Sequence, residues 1–249
     1  MSEKNHEGKR TARERLREQR RREEVADKRN RVLKVAGAMI AVLAIAGVAG
    51  VLVANQGDGS GGGGGDTPPA APITQGKGKA PATLTIYEDF RCPACGHFEE
   101  TFRDTIHALE EAGQLKTEYH IVTIIDGNMG GKGSTNAANA AACARDQGEF
   151  GPYHDALFTN QPSEQDDAFA DPKRLIELAG KVKGLDNKAF RTCVRGNEHA
   201  KWVERSNNAF QDSGHDSTPT VLLDGKDIYA DPDNQLTPEK LRKMVAERA

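Results

Sequence analysis

Twenty consecutive residues, Val35 to Ala54 (VAGAMIAVLAIAGVAGVLVA), carry no charge. At about 1.5 Å of rise per residue, such a run as a helix matches the roughly 30 Å hydrocarbon core of a bilayer. It also divides the charge of the chain. Residues 1–34 hold 13 Lys/Arg and 7 Asp/Glu, the rest holds 21 and 30, and the net charge is −3. Only Lys77 and Lys79 are basic in the 26 residues after the run. The positive-inside rule therefore predicts a single-pass cell-membrane protein, its N-terminus cytoplasmic and everything after Ala54 outside. A cleaved signal peptide is the rival reading. Its apolar region is usually about 7–15 residues and its basic region short, and both are exceeded here, so a retained anchor is expected. Residues 1–34 have Glu18/Arg22 and Glu24/Lys28 in the order that favours an exposed helix, but no apolar stripe. They read as a solvated cytoplasmic arm that orients the span. The acidic remainder excludes a nucleic-acid binder.

Residues 55–80 contain the run Gly61–Gly65 and the stretch TPPAAP. Such a composition reads as a linker, reaching about 25–30 Å on average. Residues 81–249 are long enough for one good core. Ala82 to Phe90 is β-branched and aromatic and predicts a strand. Pro93 to Ala112 predicts a helix stopped by Gly113, and Leu115 to Ile125 a second strand. Asp126 to Gly133 reads as a loop. Ser134–Arg145, Tyr153–Asn160, Pro172–Val182 and Asp186–Phe210 read as helical. Thr220–Leu223 and Lys226–Tyr229 form a hairpin around Asp224-Gly225. Thr237 and Pro238 open a last helix as N-cap and first helical residue. The order is βαβ, a helical block over about 134–212, then ββα: an α/β chain.

The chemistry lies in Cys92-Pro93-Ala94-Cys95, where a strand gives way to a helix. Two cysteines three apart on a first helical turn can close a short disulfide. The first sits at the helix N-terminus, whose unpaired N–H groups favour a thiolate. A thiolate attacks disulfides and a thiol hardly does. Cys92 thus reads as the exposed nucleophile and Cys95 as the shielded resolving thiol, with Pro93 where no N–H bond is lost. Half a zinc site is the alternative. Zinc wants four ligands, Cys143 and Cys193 stand 50 positions apart, and His97, His107 and His120 lack metal-ligand spacing. No metal and no cofactor is expected.

Three ordered motifs, YEDFRCPACGHF (Tyr87–Phe98), AANAAACARDQGEFGPYHDALF (Ala137–Phe158) and STPTVLLDG (Ser217–Gly225), make residues 82–249 resemble the DsbA family of thiol-disulfide oxidoreductases. The resemblance implies a thioredoxin-like fold with an inserted helical domain. It implies a cis peptide at Thr218-Pro219, facing the cysteine pair and offering the Thr218 backbone to an extended peptide. For Cys143 and Cys193, within the helical block, it implies a stapling disulfide; a second redox pair is the other reading. It also implies reduced secreted or cell-surface proteins as substrates, disulfides introduced through Cys92 and Cys95, and a membrane partner that reoxidises the pair. Ala94 stands where strong oxidants of the family have a histidine, and Ile86 where thioredoxin-like proteins often bury an acid. A reductase or isomerase of the same fold, or a non-catalytic tethered binding module, therefore remains an alternative. Glu88 or Asp89 could replace the missing acid as a proton relay for Cys95; strand alternation allows at most one to face the site. Asn128-Met129-Gly130-Gly131 reads as a substrate contact or as a plain turn, and His97 as a solvated helix residue.

Overall fold

A computed structural model describes residues 70–231 and 234–248. The arm, the uncharged run at 35–54 and most of the glycine-rich linker lie outside these residues. Among the described residues no helix is long and apolar enough to cross a membrane.

Two strands carry the centre of the sheet. β2 (Ala82–Glu88) and β3 (Leu115–Ile121) each alternate buried and half-buried residues along their whole length. They pair in parallel, Ala82 opposite Leu115 and Glu88 opposite Ile121. Parallel neighbours need a crossover, supplied by α1 (Pro93–Glu111). β4 (Thr220–Leu223) lies antiparallel on the other side of β2, followed by β5 (Lys226–Asp227). Asp224 and Gly225, both at positive φ, turn this hairpin. α8 (Pro238–Ala246) starts at Thr237, whose hydroxyl accepts the Lys240 N–H at 3.2 Å.

The fifth strand corrects the linker boundary. β1 (Ile73–Gly76), inside the stretch read as linker, pairs antiparallel with β3, giving the order β1-β3-β2-β4-β5. Ile73 is buried, and the Trp202 indole donates to the Ala71 carbonyl at 3.0 Å. The folded domain thus begins before Pro81.

A second correction falls after β3. The strand stops at Ile121, and Ile124–Met129 forms the short helix α2. Buried carboxylates decide this. Asp89 accepts the Ile125 N–H at 3.0 Å, and Asp126 accepts the Ser134 and Thr135 N–H groups at 2.9 Å each. The expected loop is therefore mostly helix, closed by Gly130 and Gly131 at φ 77° and 98°.

The helical layer between β3 and β4 continues with α3 (Gly133–Arg145), α4 (Phe150–Thr159), α5 (Pro172–Ala179), α6 (Lys188–Gly196) and α7 (Ala200–Asp212). The helix expected over 186–210 is two, because left-handed Asn197 ends α6. Small side chains let α3 sit at the centre, with Ala137 to Ala144 all buried. A disulfide between Cys143 and Cys193 joins α3 to α6.

Candidate active site

β2 delivers the chain to the site and α1 receives it. After Glu88 the backbone turns, with the Cys92 N–H donating to the Asp89 carbonyl at 3.0 Å. Cys92 becomes the N-cap of α1 and Pro93 its first residue. Pro93 and Ala94 are exposed, but Cys92, expected to be exposed, is buried at 6% because the Thr218 carbonyl lies against its sulfur, and Cys95, one turn in, is fully buried. Both sulfurs are free thiols here.

Their surroundings drive the two apart. The Cys95 thiol donates toward Cys92 and lowers its pKa most. Burial works against this, while Thr218 and the N–H groups of Cys95 and Ala94 add to it. The net is a Cys92 pKa lowered to about 6. Cys95 moves the other way: burial, then Cys92 itself and the charge of Glu88, hold its thiol well above the usual range.

Thr218 and Pro219 come to this point from the other end of the chain. Their peptide bond is cis. The Cys92 thiol donates to the Thr218 carbonyl at 3.4 Å. The Thr218 hydroxyl, buried and without another partner among the described residues, favours the Cys92 thiolate. A groove of about 410 Å³ opens here between Ala94, the 215–220 loop and Tyr229. Tyr229 stands edge-on to Phe98 and closes one wall.

Three residues that sequence reasoning missed position the 88–92 segment that carries Cys92. Gln161 donates to the Phe90 and Cys92 carbonyls at 3.0 and 2.9 Å. A Cβ on Gly96 would overlap the Gln161 side-chain oxygen, so a larger residue there would displace this side chain from its two carbonyls. Arg91, buried, ties the turn to the helical layer through Asp126 at 2.7 Å, Asp167 at 3.1 Å and the Gly130 and Glu164 carbonyls. The Gly130-Gly131 turn wraps this guanidinium, a structural use for the segment weighed as a substrate contact. His154 of α4 meets Glu88 at 2.6 Å. No local motif marks these contacts, since each joins segments at least 35 positions apart.

Glu88 and Asp89 separate as strand alternation requires, although both are buried. Glu88 faces Cys95 and His154, whereas Asp89 accepts N–H groups of Arg91 and Ile125. Burial raises the Asp89 pKa to about 6. His97 is exposed on α1. Cys143 and Cys193 lie in the helical layer, bonded to each other and not brought to the Cys92–Cys95 pair.

A stabilised thiolate over a buried thiol at a helix start, faced by a cis-proline loop, on this sheet, defines a thiol-disulfide oxidoreductase of thioredoxin-like fold. Comparison with known proteins agrees. The Thioredoxin family model matches residues 70–247, and the chain belongs to that family. The disulfide bond formation protein D of Bacillus subtilis is 27% identical over 163 residues, covering 64% of this chain and 71% of that protein. In longer relatives the match is one part: it spans 29% of the serine/threonine-protein kinase PknE of Mycobacterium tuberculosis. Among solved structures, oxidised DsbA of M. tuberculosis superposes with a TM-score of 0.61 at 29% identity, covering 71% of this chain and 92% of that one. The reduced DsbG disulfide oxidoreductase of that organism gives 0.62 at 29% identity, covering 73% and 88%.

Proposed function

We propose that this chain is a membrane-tethered, extracytoplasmic oxidoreductase that introduces disulfides into secreted or cell-surface proteins. The observation that carries the oxidase direction is the Cys92 pKa of about 6, set at the start of α1 above a fully buried Cys95. A low pKa makes Cys92 a good leaving group and stabilises the reduced enzyme, the property of a disulfide donor. In the forward reaction a substrate thiolate attacks Cys92 of the Cys92–Cys95 bond. That bond breaks, Cys95 leaves with the electron pair, and a mixed disulfide forms at Cys92. A second substrate thiolate attacks the substrate sulfur of this mixed disulfide. The substrate departs oxidised by two electrons and the enzyme keeps them as two thiols. A membrane partner of disulfide or quinone chemistry must then remove them.

The groove beside Thr218 suits an extended peptide, whose backbone can pair with the Thr218 backbone while its sulfur meets Cys92. The charge asymmetry around 35–54 supports the tether and its orientation. Ala94 favours a second reading, a reductase or isomerase, because it offers no side-chain donor to the thiolate. Equilibration with a glutathione buffer tests the direction. A potential near about −120 mV supports the oxidant, and one near about −270 mV the reductase. Insulin reduction and refolding of a reduced client, run side by side, give the same decision in activity. Inactivity in both assays with the thiols intact supports a non-catalytic binding module.

A further inference from the structure

A second groove opens beside Cys92, on the side of the helical layer. Pro93, His97, Glu100 and Asp104 follow one another along α1 at steps of three or four, so they share one helix face, and all four are exposed. Across from this stripe stand Phe158 and Thr159, at the end of α4, and Gln161 just beyond. The groove holds about 580 Å³ and shares no lining residue with the groove beside Thr218.

Its charge is unbalanced. The guanidinium in its wall, Arg103, is already engaged: Nε lies 3.1 Å from Asp155 Oδ1, and Nη1 donates to the Thr159 hydroxyl at 3.3 Å. Glu100 and Asp104 line the same groove and have no hydrogen bond or ion pair among the described residues. Two unpaired carboxylates therefore border an opening that begins at Pro93, next to the reacting sulfur. Their spacing matches a bound client. Glu100 and Asp104 stand eight and twelve positions after Cys92. That is about 12 and 18 Å along the helix, at about 1.5 Å per residue. An extended peptide advances about 3.3 Å per residue, so one joined to Cys92 brings residues about four to six positions from its own cysteine beside the two acids.

We propose that this groove is a second client subsite, which takes the segment about four to six positions from the reacting cysteine and favours lysine or arginine there. This rests on the exchange reading above and adds a substrate class to it: cysteine-containing segments with a basic flank. The Thr218 backbone holds the residues next to the client's cysteine, and Glu100 and Asp104 read those further out. A lysine or arginine stem can lie along Pro93 and Phe158 while its charged head reaches the carboxylates.

The test uses the full-length chain in detergent, oxidised beforehand at Cys92 and Cys95, and a mixture of peptides in excess. Each peptide carries the same two cysteines and a pair of lysines, serines or glutamates about four to six positions away, on the N-terminal or the C-terminal side. Each oxidation moves two electrons from the peptide thiols to the Cys92–Cys95 bond, and mass spectrometry reads which peptides have closed. On at least one side of the cysteines, wild type should oxidise the lysine peptide about fivefold faster than the serine peptide, with the glutamate peptide slowest. At about 0.5 M NaCl, where screening acts over about 4 Å, that preference should shrink below about twofold. Glu100→Gln with Asp104→Asn should level the three peptides, and Glu100→Lys with Asp104→Lys should put the glutamate peptide first. A lysine's effect on the peptide's own thiols is the same for every variant, so the difference between enzymes isolates the groove. Should a paired variant fail to fold, Glu100→Gln and Asp104→Asn taken singly should each cut the preference about twofold. Equal oxidation of the three peptides by wild type, or a preference that survives neutralisation of the acids, overturns the subsite and leaves the exchange reading standing. A wild-type chain that oxidises none of the peptides overturns the exchange reading and the subsite with it.

Discussion

An alkylation titration of the reduced protein should resolve the two active-site thiols by surroundings alone. Cys92, with its pKa lowered to about 6, should alkylate at a rate that climbs through that pH and levels off above it. Cys95, buried and shifted upward, should stay unmodified throughout. Cys92→Ser should abolish exchange, because the low-pKa sulfur is gone and the remaining one, Cys95, is fully buried. Cys95→Ala keeps the nucleophile and removes the internal escape, so it should collect clients as reducible mixed disulfides through Cys92. Faster labelling of Cys95 than of Cys92 would sink this assignment. The same shift bears on stability. The folded pKa lies below the unfolded value of 9.0, so the thiolate's contribution is complete above about 9 and disappears as pH falls through about 6. The oxidised protein has no such thiol to titrate. Melting temperatures of the two forms should therefore shift relative to one another between these limits, the reduced form gaining as pH rises.

At the scale of elements, β1 is the most informative. Ile73 is buried at the edge of the sheet, so Ile73→Ala should cost about 2–5 kcal/mol in urea unfolding. An unchanged midpoint would mean that the strand adds nothing to the fold. The sequence concealed this strand because ITQG is four residues long and stands among Pro, Gly and Lys, where composition signals a linker. β2, α1 and the β4–β5 hairpin were legible because each carries its own signal: strict alternation, a Cys92-Pro93 start, and Asp224-Gly225 at positive φ. α2 was not, because its contacts are non-local: Asp89 accepts the Ile125 N–H from outside the helix, and Asp126 within it accepts from Ser134 and Thr135. The site divides in the same way. The sulfurs and the Thr218-Pro219 loop stand in short motifs, whereas Gln161 and His154 reach the site, and Arg91 meets its partners, only after the helical layer folds over the sheet.

The whole molecule is held together by one cross-link and, in our proposal, held in place by one span. The Cys143–Cys193 disulfide closes a loop of 50 residues through the helical layer. Replacing both cysteines by serine should lower stability by about 2–5 kcal/mol while leaving exchange at Cys92 intact in the folded fraction. Free thiols at both positions in peptide maps of the non-reduced protein would remove the staple. The tether makes a separate demand. Substrates of the proposed kind become disulfide-bonded outside the cytoplasm, where oxidised cysteines persist. The proposal therefore requires the domain to lie on that side, with the basic excess before Val35 to orient it. Reporters fused after Ala249 should be active only if they function outside the cytoplasm, and protease added to spheroplasts should remove the domain. Reversing the charge of the arm, with Arg15, Arg17, Arg20, Arg21 and Arg22 replaced by Glu, should reduce the exported fraction without touching the folded domain. A mature protein whose N-terminus lies beyond Ala54 would identify the span as a cleaved signal. A fusion active only in the cytoplasm would place Cys92 in a reducing compartment and overturn the oxidase reading together with the topology.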